Sequence, residues 1–137
     1  MPTFGRVAPS IPVSDIDRAL YFYRDVLGFT VTFTNGQPVT FVVIQQGEAE
    51  VHLVTQPDRA GSAHAHLMVD DLDGVYAALK KASIPLRQPP KIQAWGLRDL
   101  VVADLDGNTF EIAHAAENPS SGQPFTLHPS DLSEVEK

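Results

Sequence analysis

One short motif occurs twice in this chain, and it restricts the fold more than any other feature. Residues 13–17 read VSDID and residues 69–73 read VDDLD, at an offset of 56 residues. Each copy follows an apolar stretch and begins an amphipathic helical pattern with acidic residues in its first turn. The order of predicted elements after each copy is the same, which is typical of a duplicated unit. The sequence therefore predicts two strand–helix–three-strand modules.

The predicted elements follow hydrophobic periodicity and the turn residues between apolar runs. In the first module these are a strand over 7–13, a helix over 14–28, and strands over 30–34, 40–44 and 50–54. In the second they are a strand over 64–69, a helix over 70–83, and strands over 86–93, 99–103 and 108–114. On a regular helix, the neighbouring rings of Tyr21, Phe22 and Tyr23 point to different faces, so no contiguous aromatic stack is expected.

The same patterns set the predicted domain organisation. Module one spans 5–55, a polar linker spans 56–62, and module two spans 63–115. Together they form one domain over 1–116, of class α+β. The remaining tail over 117–137 is rich in Pro, Ser and charged residues and is expected to be extended.

Composition excludes several functions. With 17 acidic and 10 basic residues the net charge is -7, which predicts no nucleic-acid partner and no anionic membrane surface. The absence of cysteine excludes disulfides, thiolate nucleophiles and sulfur-ligated metals, so any metal must be bound by nitrogen and oxygen. No apolar run is long enough to span a bilayer and no secretion signal is recognisable, so a cytoplasmic location is expected.

Strand alternation selects the residues that share one face of the sheets. Side chains alternate along a strand, so His52, His64 and Glu111 are expected on the faces directed away from the helices. His66 and Met68 share the parity of His64. If the two modules pack around a pseudo-twofold axis, positions 8, 52, 64 and 111 come together near that axis.

Two segments resemble a known family. VSDIDRALYFYRDVLGF (13–29) and AWGLRDLVVADLDGNTFEI (94–112), with the paired-module order, are similar to the vicinal oxygen chelate superfamily, which includes glyoxalases, bleomycin-resistance proteins and dioxygenases. The resemblance implies two βαβββ modules that form an eight-stranded, cup-like mixed sheet around a small-molecule site, usually in a homodimer. It covers roughly residues 5–115.

The resemblance also implies a metal site. The ligand positions of metal-using members map to Ala8, His52, His64 and Glu111. Ala8 has no donor atom, so the complete family set is absent. The other three would suit a divalent Zn, Mn, Fe or Ni ion. The alternative is that they line a wet cavity that holds no metal.

Further residues are candidates for ligand contact. His66 is predicted to move a proton as a catalytic residue, with a structural pocket histidine as the alternative. Trp95 is predicted either to stack on a planar ligand or to shield the core. Ser10, which aligns with His66, and Met68 are predicted to contact substrate. DLDGN (104–108) looks like an acidic cluster but is predicted to be a turn.

Two functions follow from these residues. The first is a divalent-metal-dependent lyase, isomerase or transferase that acts on a small oxygen-rich substrate. The second is a metal-free protein that sequesters a drug-like or aromatic small molecule as a dimer. The acidic composition suits a cationic ligand in the second case.

Overall fold

The computed structural model describes residues 1–115, and the predicted tail over 117–137 lies outside the described residues. The first module contains β1 (Ser10–Val13), α1 (Ile16–Leu20), a π-helical segment (Tyr21–Val26), β2 (Thr30–Asn35), β3 (Phe41–Gln46) and β4 (Ala49–Thr55). The second contains β5 (His64–Met68), α2 (Leu72–Lys81), β6 (Leu86–Ile92), β7 (Leu97–Ala103) and β8 (Thr109–Ala115). The predicted α+β class with two βαβββ modules is confirmed.

Each module forms its own four-stranded sheet, and the two sheets have the same strand order. That order is β1-β4-β3-β2 in the first sheet and β5-β8-β7-β6 in the second. In the first sheet β1 runs parallel to β4, whereas β3 is antiparallel to both β2 and β4, so the sheet is mixed. The repeat seen in the sequence is therefore a repeat of topology.

The chain divides into two compact units. The first unit comprises Met1–Ala65 and Asp104–Thr109, and the second comprises His66–Ala103 with the described residues from Phe110 onward. The turn between β7 and β8 therefore belongs to the first unit. The sites described below each lie within one unit.

The first helix changes form along its length. Asp15 caps α1, because its side chain accepts a hydrogen bond from the backbone N–H of Arg18 at 2.9 Å. The helix then widens to the π form, in which Leu27 N–H donates to the Phe22 carbonyl five residues earlier. A π turn holds more residues than an α turn, so neighbouring side chains diverge by a smaller angle. Phe22 and Tyr23 are consequently both buried.

These rings correct one expectation from the sequence. The centroids of Phe22 and Tyr23 are 5.0 Å apart in an edge-to-face arrangement, and those of Tyr23 and Phe29 are 6.4 Å apart in a similar one. The three neighbouring rings do not form one stack, since Tyr21 is 44% exposed, but the expectation that Phe22 and Tyr23 point to different faces was wrong because it assumed regular α-helical geometry. Edge-to-face pairs of this kind stabilise a core beyond the area they bury.

The turn between β7 and β8 is held by a buried polar network. As predicted, DLDGN (104–108) is a turn and not an open acidic cluster. Asn108 donates through Nδ2 to the Pro12 carbonyl at 2.8 Å and to Asp104 at 2.9 Å. The Tyr23 hydroxyl donates to the same Asp104 carboxylate at 2.6 Å. The turn thereby fixes the end of β1 and the π-helical segment.

The second helix is regular. Asp71 caps α2, because its side chain accepts a hydrogen bond from the Gly74 N–H at 2.9 Å. The charges at its ends complement the helix dipole, with Asp73 in the first turn and Lys80 and Lys81 in the last turn. No helix in the described part of the chain is long and apolar enough to cross a membrane.

Burial follows the predicted strand parity. Val51 and Leu53 are buried on either side of the partly exposed His52. Phe110 and Ile112 are likewise buried on either side of Glu111. Each sheet therefore has one core-forming face and one face that is available for contact with a ligand.

Candidate functional site

The open face of the first sheet is formed by three strands. In the register of β3 and β4, Val43 pairs with His52 and Gln45 pairs with Glu50, and paired residues share a face. Phe33 of β2 pairs with Val43 and so joins the same face. This placement depends on a bulge between Val31 and Phe33, because simple alternation would put both residues on one side.

Three rings form a continuous row across this face. The Phe33 and Phe41 centroids are 6.2 Å apart, and those of Phe41 and His52 are 5.4 Å apart, both edge-to-face. Phe33 is 53% exposed, so the outer end of the row is open to solvent. We call Phe33, Phe41, Gln45, Glu50 and His52 the aromatic–acidic face.

Glu50 supplies the charge of this face. Its Oε2 accepts a hydrogen bond from His52 Nε2 at 2.8 Å, and its Oε1 accepts one from Gln45 Nε2 at 2.8 Å. Arg6 lies 3.4 Å from Oε1. The hydrogen bonds from His52 and Gln45, with the Arg6 charge, outweigh partial burial and lower the pKa of Glu50. The carboxylate is therefore ionised beside the aromatic row.

The open face of the second sheet carries a different group. Asp99 of β7 is buried, and Glu111 lies on the neighbouring strand β8, where the two carboxyls influence each other's pKa. Gln88 and Gln93 each donate to Asp99 Oδ1, at 2.8 and 2.9 Å. His66 Nε2 lies 3.7 Å from Glu111 Oε2, which is beyond a hydrogen bond. We call Asp99 and Glu111 the carboxyl pair.

The two carboxyls have opposite pKa shifts. The hydrogen bond to Asp99, with burial and the Asp99 charge, raises the pKa of Glu111 to about 7. Burial alone would raise the pKa of Asp99, but hydrogen bonds from Glu111, Gln93 and Gln88 and the charge of Lys91 lower it overall. One proton is therefore shared, with Glu111 as the donor and Asp99 as the ionised acceptor.

This sharing predicts how stability depends on pH. The contribution of Glu111, whose pKa is raised from 4.5 to about 7, is present in full below 4.5 and is lost as the pH rises through 7. The contribution of Asp99, whose pKa is lowered, is lost as the pH falls below 3.8. We expect the free energy of unfolding to fall by about 1 kcal/mol between about pH 5 and pH 8, since solvent at a partly exposed carboxyl weakens the full effect.

Urea denaturation across this pH range measures the effect. Glu111→Gln keeps a hydrogen-bond donor toward Asp99 but cannot ionise. The unfolding free energy of this variant should therefore not fall between about pH 5 and pH 8. Glu48→Gln removes an exposed acid from the β3–β4 turn and should keep the wild-type slope. An identical slope in wild type and Glu111→Gln would contradict the shared proton.

The other predicted site residues lie in several places. On β5, His64 and Met68 are exposed, and His64 Nδ1 is 2.7 Å from Thr109 Oγ1. Ser10 lies at the exposed start of β1, in register with His52. Trp95 is half-buried in the turn between β6 and β7. The structure thus brings Ser10 beside His52 in the first sheet.

The predicted metal ligands His52 and Glu111 each have a side-chain partner within their own sheet. Within residues 1–115, no group of three or more His, Cys, Asp or Glu side chains is arranged to hold a metal ion. His52 is engaged by Glu50, and Glu111 is engaged by Asp99. The set His52, His64 and Glu111 stays a prediction.

Several residues of these faces were not singled out in the sequence. Glu50 was recognisable, since it lies two residues from His52 on the same strand and must share its face. Asp99 could be found only with the β7–β8 register, which depends on the geometry of the intervening turn. Phe33 could not be assigned to the open face, because the bulge that places it there has no sequence signal of its own.

Fold and site together define a class of protein. The chain has two βαβββ modules with identical strand order, and each sheet leaves one face with polar or aromatic groups available. It belongs to the Glyoxalase/Bleomycin resistance protein/Dioxygenase superfamily, whose family model matches residues 3–112.

Similar proteins include relatives named for antibiotics. The chain is 29% identical over 120 residues to a bleomycin resistance protein of Geobacillus stearothermophilus, covering 73% of this chain and 89% of the relative. It is similar to the crystal structure of TnmS3, an antibiotic binding protein from Streptomyces sp. CB03234, with 26% identity, a TM-score of 0.72, and coverage of 84% and 99% of the two chains. A bleomycin-binding protein complexed with bleomycin shares the fold at 24% identity and a TM-score of 0.69, covering 81% and 98%.

Proposed function

We propose that this protein binds an antibiotic-like small molecule with a planar aromatic part and a positive charge, and that it does so on the aromatic–acidic face of the first unit. The observation that carries the proposal is the continuous row of Phe33, Phe41 and His52 rings with the ionised Glu50 at its end. Such a face offers stacking and charge attraction on adjacent groups of one rigid sheet.

The chemistry of the face determines the class of ligand. Aromatic rings attract other rings and also attract cations through their electron-rich faces. Glu50 adds a fixed negative charge, and its hydrogen bonds to His52 and Gln45 hold it in place before a ligand arrives. The net charge of -7 raises the local concentration of cations around the whole protein. A planar cation would be attracted by the rings, by the Glu50 carboxylate and by the net negative charge of the protein.

The relatives favour the same class. A bleomycin resistance protein and an antibiotic binding protein are both more than 25% identical to this chain over most of its length. Sequestration needs no bound metal, in keeping with the absence of a donor atom at Ala8. The predicted homodimer, the cytoplasmic location, and ligand contact by Trp95, Ser10 and Met68 remain predictions.

Binding is tested with two matched probes. The 10-methylacridinium ion is a planar aromatic with a permanent positive charge, and acridine at mildly alkaline pH is its neutral counterpart. Fluorescence titration of the wild-type protein should show binding of both probes and tighter binding of the cation. Failure of the protein to bind either probe would contradict the proposal.

Glu50 should account for the preference between the probes. We expect Glu50→Gln to weaken binding of 10-methylacridinium by about three- to tenfold, because the fixed charge is lost, and to leave acridine binding nearly unchanged. Titrations of both probes against both proteins measure this. Glu48→Gln, which removes an acid in the exposed turn, is the matched control for net charge. Equal losses in the two variants would mean that the protein's overall charge, and not Glu50, attracts the cation.

A further inference from the structure

The segment before β1 contacts the aromatic–acidic face through the Arg6 side chain and the Pro9 carbonyl. Residues 1–9 form no helix or strand, and Met1, Phe4 and Val7 are at least 90% exposed. The segment is joined to the sheet at its end, where the His52 N–H donates to the Pro9 carbonyl at 3.0 Å. We call residues 1–9 the N-terminal arm. Its apolar side chains bury little surface, so little packing energy holds the arm in this position.

Arg6 is the contact between the arm and the face. Its guanidinium lies 3.4 Å from Glu50 Oε1, and the two side chains are 62% and 20% exposed. The second oxygen of Glu50 is already engaged by His52 at 2.8 Å. Arg6 therefore lies against the Oε1 side of this carboxylate, beside the Gln45 hydrogen bond, where a ligand's positive charge would also be attracted.

We infer that Arg6 is a built-in competitor of the ligand, and that a cationic ligand must displace it from Glu50 in order to bind. The inference rests on the proposed function. Displacement is easy, because an exposed ion pair on a loosely packed segment contributes little free energy. A neutral aromatic ligand needs no such displacement, so Arg6 reduces the affinity for cationic ligands and leaves the stacking of neutral ones unaffected. Arg6 is thus a specificity-determining residue for the proposed site.

The test compares two arginine variants that change the net charge equally. Arg6→Gln removes the competitor, whereas Arg24→Gln removes an exposed arginine of the π-helical segment that pairs with Asp25. Relative to Arg24→Gln, Arg6→Gln should bind 10-methylacridinium about two- to fivefold more tightly and acridine equally well. The gain should disappear at high salt, which screens exposed charges, and in the Glu50→Gln background.

The outcomes separate this inference from the proposed function. If wild type binds both probes but Arg6→Gln binds the cation no more tightly than Arg24→Gln does, Arg6 is not a competitor and the proposed site stands. A gain that persists in the Glu50→Gln background would also overturn the inference, since Arg6 would then act elsewhere. If none of the proteins binds either probe, both proposals fail. Thermal melting of each variant confirms that it is folded.

Discussion

Replacement of Asn108 by alanine should lower the free energy of unfolding by about 3 kcal/mol, the largest stability effect we expect from one substitution. Asn108 is fully buried, and its side chain makes three hydrogen bonds. It donates to the Pro12 carbonyl and to Asp104, and it accepts from the Ala63 N–H at 3.0 Å. Alanine supplies none of these, so the buried Pro12 carbonyl loses its side-chain donor, and Asp104 and the Ala63 N–H each lose one hydrogen bond.

Urea denaturation followed by circular dichroism measures the loss. For a chain of this size the melting temperature should fall by roughly 10 °C. Asn35→Ala removes an exposed asparagine at the end of β2 and should change the free energy by less than about 0.5 kcal/mol. If the two substitutions cost the same, the buried network does not stabilise the first unit in the way described.

The second large effect concerns binding. The double variant Phe33→Ala/Phe41→Ala should bind both 10-methylacridinium and acridine at least about tenfold more weakly than wild type, because both probes lose their stacking partners. Phe33→Ala alone should give a smaller loss, since Phe41 and His52 remain. Fluorescence titration of each probe measures the change.

A surface aromatic provides the control for this loss. Tyr21 is 44% exposed on the π-helical segment and lies outside the aromatic–acidic face. Tyr21→Ala should bind both probes as wild type does. Because Phe41 is partly buried, its removal also affects packing, but Phe33 is exposed and Phe33→Ala should melt close to wild type. Wild-type affinity in the double variant would place the probes elsewhere on the molecule.

The fold was predictable because its determinants are local and occur twice. VSDID and VDDLD mark two strand-to-helix junctions, and alternation in segments such as EVHLV identifies strands and their buried faces without tertiary information. The turn at DLDGN followed from the conformational preferences of Asp, Gly and Asn. That Asn108 is buried and joins three segments did not follow, because the partners Pro12 and Ala63 are distant in sequence.

The open faces were only partly predictable. The alternation of side chains along a strand was enough to predict that His52 and Glu111 lie on the open faces. The chemistry of each residue, however, is set by its neighbour on the same sheet. The pKa of Glu111 is raised because Asp99 lies beside it on the neighbouring strand β7. The π-helical segment and the bulge in β2 each determine where an aromatic ring lies, and both are departures from the regular periods on which sequence patterns depend.

The most direct test of the proposed site is a measurement of intermolecular nuclear Overhauser effects. In isotope-labelled protein saturated with 10-methylacridinium, the ring protons of the probe should show contacts with the rings of Phe33, Phe41 and His52. Contacts confined to other residues, such as Tyr21, would contradict a binding site on the aromatic–acidic face.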